Sequence, residues 1–166
     1  EFAAIEKMAI ERFANNRDEA LEQFMIGRIA NTDGSIWAEY LHAIQRCERL
    51  IGEEFSKACL GLIAVSRFGL TEAMLEKCFA IMQMRWDSAG FAWLRQILAP
   101  HFARSEYGEW DFNHRILRST VRTSLLSKEE WQKFNAVIVT ALEREAVSEE
   151  LVARDIVYHY YYAREY

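Results

Sequence analysis

Residues 101–113, HFARSEYGEWDFN, break the helical rhythm that runs through the rest of the chain. Gly108 sits at a turn, and Trp110 and Phe112 alternate with Glu109, Asp111 and Asn113, a period of two that belongs to a half-buried strand. The stretch reads as one β-hairpin. Pro100, the single proline of the 166 residues, stands just before it and ends the preceding helix.

N-terminal to the hairpin, apolar residues recur at helical spacing. Phe55, Cys59, Leu62 and Ile63 form one mostly apolar stripe that stops at Phe68-Gly69. Thr71 then provides an N-cap, Glu72 suits the positive end of a helix dipole, and Met74, Leu75, Cys78, Phe79 and Met82 make a second stripe. A third helix, capped by Asp87 or Ser88, carries Phe91, Leu94, Ile97 and Leu98. C-terminal to the hairpin, the helical period returns from His114 with Ile116 or Leu117, Thr120, Val121 and Leu125. Three helices, a hairpin and a further helix across 53–126 are the order of a winged-helix unit.

The flanks continue the helical pattern. Residues 1–52 read as a helical segment of three amphipathic helices, broken at Asn15-Asn16 and at 31–35 and closed by Gly52. Residues 127–166 read as a helical tail with one helix through Trp131, Phe134 and Ile138 and another opened by Ser148-Glu149-Glu150, a possible start of a helical array of the tetratricopeptide kind. The expected fold is therefore mainly α, a helical bundle containing a winged-helix unit, with the flanking helices packed on it. Seven Gly and one Pro are too few for the turns an all-β fold needs.

Composition narrows function mostly by exclusion. A formal charge of −5 and a pI near 5.5 oppose the basic face that neutralises several phosphates of a nucleic acid. The third helix has one cation, Arg95, and the hairpin offers Arg104 against Glu106, Glu109 and Asp111, so a DNA-binding winged helix is the weaker alternative. Three Cys without CxxC spacing, and His residues without paired spacing, give a zinc site nothing to build on and fit a reducing, cytoplasmic setting. No apolar run reaches the 18 or so residues of a membrane span. The nucleophile, metal and phosphate-loop signatures are missing, so catalysis by this chain alone is not expected. The opening Glu1-Phe2 has no Met and no signal-peptide pattern, and the chain reads as an internal piece of a longer protein.

Two features stand out as candidate sites. His114 follows the second strand directly, where a strand hands over to a helix and exposed N–H groups favour an anion; a cap or a partly buried histidine is the competing reading. Tyr158, Tyr161 and Tyr162 recur at i, i+3 and i+4 in the tail and read as a packing face, with a base- or sugar-stacking surface as the less economical alternative. His42, His101 and His159 read as single histidines on element surfaces.

The segment FSKACLGLIAVSRFGLTEAMLEKCF, residues 55–79, resembles the stretch after the nucleotide-binding core of STAND-class signalling ATPases of the NACHT type. The shared elements are a helix ending in Ser66-Arg67, the turn Gly69-Leu70-Thr71-Glu72, a Trp-containing third helix, a hairpin, and a histidine that opens a helix as His114-Arg115-Ile116-Leu117-Arg118. The likeness spans about 40–126, and VYHYYYA, residues 157–163, is similar to the first hairpins of the repeats that follow such modules.

The resemblance implies a non-catalytic regulatory and scaffolding segment that couples nucleotide state to a sensor or repeat region by packing. Its partners would be the ATPase core and the C-terminal helical repeats of the same longer protein; apart from the resemblance, a free helical adaptor that binds a partner protein through the Tyr158 to Tyr162 face is a further alternative. ATP or ADP and magnesium would belong to that longer protein, with no cofactor held by this chain. His114 matches a histidine that contacts the β-phosphate of bound ADP, although the family's Met-His-Asp is Asn113-His114-Arg115 here.

Overall fold

The computed structural model describes residues 36–144 and 149–164. The two expected helices before residue 31 lie outside that range. Seven α-helices and one antiparallel hairpin make up the described fold. Helix α1 runs Ile36–Ile51, α2 Glu53–Val65, α3 Glu72–Ile81 and α4 Ser88–Ile97; β1 is Phe102–Arg104 and β2 Trp110–Phe112; α5 runs Arg115–Leu125, α6 Lys128–Glu143 and α7 Glu149–Arg164.

Local chemistry places most of these boundaries. Gly52 separates α1 from α2 at φ +104°, a conformation that costs other residues. The Thr71 hydroxyl accepts from the Met74 N–H at 3.2 Å and Asp87 accepts from the Ala89 N–H at 3.0 Å, so both expected N-caps form. Ser127 and Glu130 close a reciprocal capping box at the start of α6, and Glu130 also pairs with Lys57 of α2 at 2.6 Å. Pro100 sits in a short 3₁₀ turn, Ala99–His101, between α4 and β1.

Helix α2 is the centre of the molecule. From Ala58 to Val65 every residue is buried, because α1, α3, α4, α5, α6 and β2 all pack around it. Helical segments that are apolar on all sides belong in such a position. Gly61 lets α6 approach, since a Cβ there would run into the Phe134 ring. The flanking helices α1 and α6 thus share one core with the three-helix unit, as the absence of a linker predicts. A run of rings, Phe55, Phe79, Trp86 and Phe91, continues that core at centroid spacings of 5.0 to 5.7 Å.

The hairpin pairs Phe102 with Phe112 and Arg104 with Trp110, and Gly108 turns it at φ +84°. Beyond the expected two strands there is a third, one-residue partner. Leu70, from the turn between α2 and α3, bridges Trp110 from the other side, with N–H···O distances of 2.8 and 3.1 Å. Gly69 makes that approach possible: it has φ +85°, and a Cβ there would lie 2.5 Å from the Trp110 carbonyl oxygen. Trp110 is therefore held between Leu70 and Arg104, and the wing is tied to the start of α3.

Arg118 of α5 closes the other side of the wing. Its guanidinium donates to the carbonyls of Ile63, Ala64 and Ser66 at 3.3, 2.9 and 2.5 Å, and to the Asp111 carboxylate of β2. One side chain caps the C-terminus of α2 and pairs with the strand beside it. Burial pushes the Asp111 carboxyl up, while Arg118 and the Phe112 N–H pull it back down.

Candidate functional site

The tail helix meets α6 through one buried polar pair. His159 is 2 % exposed, and its Nδ1 lies 2.8 Å from Oδ1 of the fully buried Asn135. The Asn135 amide donates its own N–H to the Trp131 carbonyl at 2.8 Å, which leaves its oxygen to accept. The hydrogen-bond pattern therefore assigns the proton to His159 Nδ1. Burial holds the imidazole down at about 4, with Asp155 opposing. Reading His159 as a surface histidine is corrected by this: a lone His on a helical stripe does not show in sequence that an Asn of the facing helix awaits it.

The three tyrosines lie on the next side of the same helix. Tyr158 and Tyr162 meet in a tilted contact at 4.7 Å, Tyr161 meets Tyr162 at 5.1 Å, and Tyr162 abuts Trp131 of α6 edge-on at 6.3 Å. Together with Val157 and Arg67 they line a shallow groove of about 460 Å³. Val157 is 68 % and Tyr161 57 % exposed, an unusual position for apolar bulk on a helix. Partial burial raises the Tyr158 phenol above its ordinary value. The sequence placed the tyrosines together but missed Arg67, whose guanidinium lies 5.8 Å over Tyr158 and 4.8 Å over the exposed Phe68. Its signal, the Ser66-Arg67 at the end of α2, is far from the tail along the chain.

His114 occupies the N-cap position of α5, at the junction of β2 and α5. Its side chain makes no capping hydrogen bond and is exposed. The His101 ring stands 6.4 Å away, itself edge-on to Tyr40 of α1 at 5.1 Å. The structure thus keeps His114 apart from the tyrosine groove; no contact joins the two candidate features among the described residues.

A second cleft, of about 310 Å³, lies between α4 and the wing and is lined by Ala92, Arg95, Gln96, Ala99, Phe102 and Trp110. The guanidinium of Arg95 lies 5.1 Å over Phe91 and 4.9 Å over Trp110, and that of Arg104 lies 5.5 Å over Trp110. No sequence period joins these residues; the hairpin pairing and the Leu70 bridge together bring Trp110 to this edge.

Cys47, Cys59 and Cys78 are buried and in no disulfide; burial pushes the Cys47 thiol up to about 12 and that of Cys59 also well up, which makes these two poor nucleophiles. Among the described residues no group of three His, Cys, Asp or Glu side chains is placed to hold a metal ion. No described helix is long and apolar enough to cross a membrane. No family model, no curated protein and no solved structure matches the chain.

Proposed function

We propose that the chain is a non-catalytic regulatory and scaffolding segment of a NACHT-type STAND signalling ATPase, working in the cytoplasm by protein packing. The observation that carries the packing part is the tyrosine groove: Val157 and Tyr161 stand exposed beside Arg67 on a helix that is otherwise anchored by His159. The next helices of a C-terminal repeat array are the expected cover of that face. The STAND assignment itself rests on the Gly69-Leu70-Thr71-Glu72 and His114-x-x-Leu117-Arg118 elements and their order around the wing.

In this reading the wing faces the nucleotide-binding core, and His114 offers a ring N–H to the β-phosphate of ADP held there. An exposed histidine with no capping bond, at a helix N-terminus, suits an anion. ATP or ADP and magnesium are supplied by the longer protein. DNA binding is disfavoured because the α4 and wing surface has two arginines, Arg95 and Arg104, among Glu72, Glu106, Glu109 and Asp111, too few cations for a duplex contact. The reading is tested on the gene: a GxxxxGK[ST] loop encoded upstream of Glu1 is the expected result, and an open reading frame without one overturns it.

A further inference from the structure

The cleft between α4 and the wing has a chemistry that the packing role leaves unused. Its floor is apolar and its walls are small: Ala92 and Ala99 leave room beside the Phe102 ring. Its edge is cationic. Arg95 and Arg104 both lie over the indole of Trp110, whose backbone is held by hydrogen bonds to Leu70 on one side and strand pairing on the other. Guanidinium groups held over an aromatic ring are pre-oriented while their in-plane N–H groups stay able to donate.

Arg95 is also short of acceptors. Its Nε is buried and has no hydrogen-bond partner among the described residues, and its Nη1 reaches the Glu72 carboxylate only at 3.9 Å, beyond hydrogen-bond length. An unmet donor is a cost in the free chain, and the part-exposed Arg95 side chain can relieve it by turning toward a carboxylate that enters the cleft. The acidic side chains nearby do not fill the cleft: the Glu109 carboxylate turns back to the Ser105 hydroxyl at 3.1 Å, and Glu72 stays at the distance given.

From this we infer that the cleft is a docking site for an acidic peptide segment of a partner protein, its carboxylate taken by Arg95 and Arg104 and an adjacent aliphatic side chain seated on Ala92, Ala99 and Phe102. A carboxylate needs only one or two guanidinium donors, here Arg95 on the wall and Arg104 beside the same Trp110 ring, whereas a duplex needs a longer row of cations. The amide of Gln96 is the further polar group on the wall. The inference does not depend on the STAND assignment, and an upstream phosphate loop neither supports nor weakens it.

The test titrates the full chain with a short synthetic peptide of interspersed Glu and Leu, with its Gln-for-Glu counterpart, and with duplex DNA, followed by ¹H–¹⁵N NMR including the Arg95 Nε–H signal and by calorimetry. The acidic peptide is expected to shift the signals of Arg95, Gln96, Ala99, Phe102 and Trp110 and to bind at least about tenfold more tightly than the Gln peptide, as a charge-assisted contact would. Arg95→Gln and Arg104→Gln should each weaken binding at least about fivefold. Arg104 is exposed, so its variant remains decisive if Arg95→Gln does not fold. Equal binding of the two peptides, shifts confined to another surface, no binding at millimolar peptide, or DNA moving these signals when the peptide does not, each overturns the proposal.

Discussion

Helices α2 and α7 are both helical with apolar faces, yet the fold treats them oppositely. The second half of α2 is enclosed by six other elements and its C-terminal carbonyls are closed by a side chain from α5. Helix α7 rests chiefly on α6, through a core-facing stripe that holds one buried polar pair, and leaves Val157, Tyr160 and Tyr161 outward. Apolar content alone does not separate a central helix from a peripheral one. What separates them is where a polar side chain is used: Arg118 closes the end of α2 from a neighbouring helix, whereas α7 carries a buried ring, His159, whose charge state matters, in its contact with α6.

The largest effect is expected at Arg118. Arg118→Met removes the donors to three carbonyls and leaves Asp111 partly buried without its cation, and should cost about 2 to 3 kcal/mol, read as a fall of roughly 5 to 10 °C in the calorimetric melting temperature. If the variant melts as the parent does, the clamp is decoration and α2 is held by apolar packing alone.

Acid should act on the other helix. Because the folded His159 value of about 4 lies below the ordinary 6.5, the unfolded or undocked form binds the proton first as pH falls. The docking of α7 is therefore at full strength above about pH 6.5 and weakens as pH drops toward 4, by about 2 kcal/mol at pH 5. Amide exchange, corrected for its intrinsic pH dependence, should show α7 losing protection between pH 7 and 5 while α2 keeps it. Equal loss in both helices would mean that α7 does not open separately.

The smallest effect sharpens the contrast. Tyr161→Ser should change stability by less than about 0.5 kcal/mol in denaturant unfolding, since Tyr161 is 57 % exposed and spends its area on the groove. A cost of a core residue's size would place Tyr161 in the fold itself and remove the groove as a spare surface.

Much of the architecture is legible in the residues. The 3.6 period marks α1 to α6, Thr71 and Asp87 cap where short polar side chains precede apolar stripes, and the alternation at Trp110 and Phe112 marks the wing. What escapes the sequence is contact between distant segments through isolated polar or single-residue features. Leu70 has no strand period because its pairing is one residue long, and Arg118 on an amphipathic helix looks like a solvated charge until α2 supplies carbonyls. Arg46 is similar: the structure buries it and its guanidinium donates to the Ile97 carbonyl at 3.1 Å. His159 hides for the same reason, and Arg67 meets the tyrosines only because the C-terminal end of α2 emerges beside α7. Periodicity reports which face is apolar, and it is silent on which polar group will be given a partner inside.

If the chain acts by packing, as proposed, it turns over no nucleotide. Purified and supplied with magnesium and ATP, it should release no phosphate above the buffer rate. Steady hydrolysis that follows the folded chain through purification and disappears on its unfolding would contradict the claim.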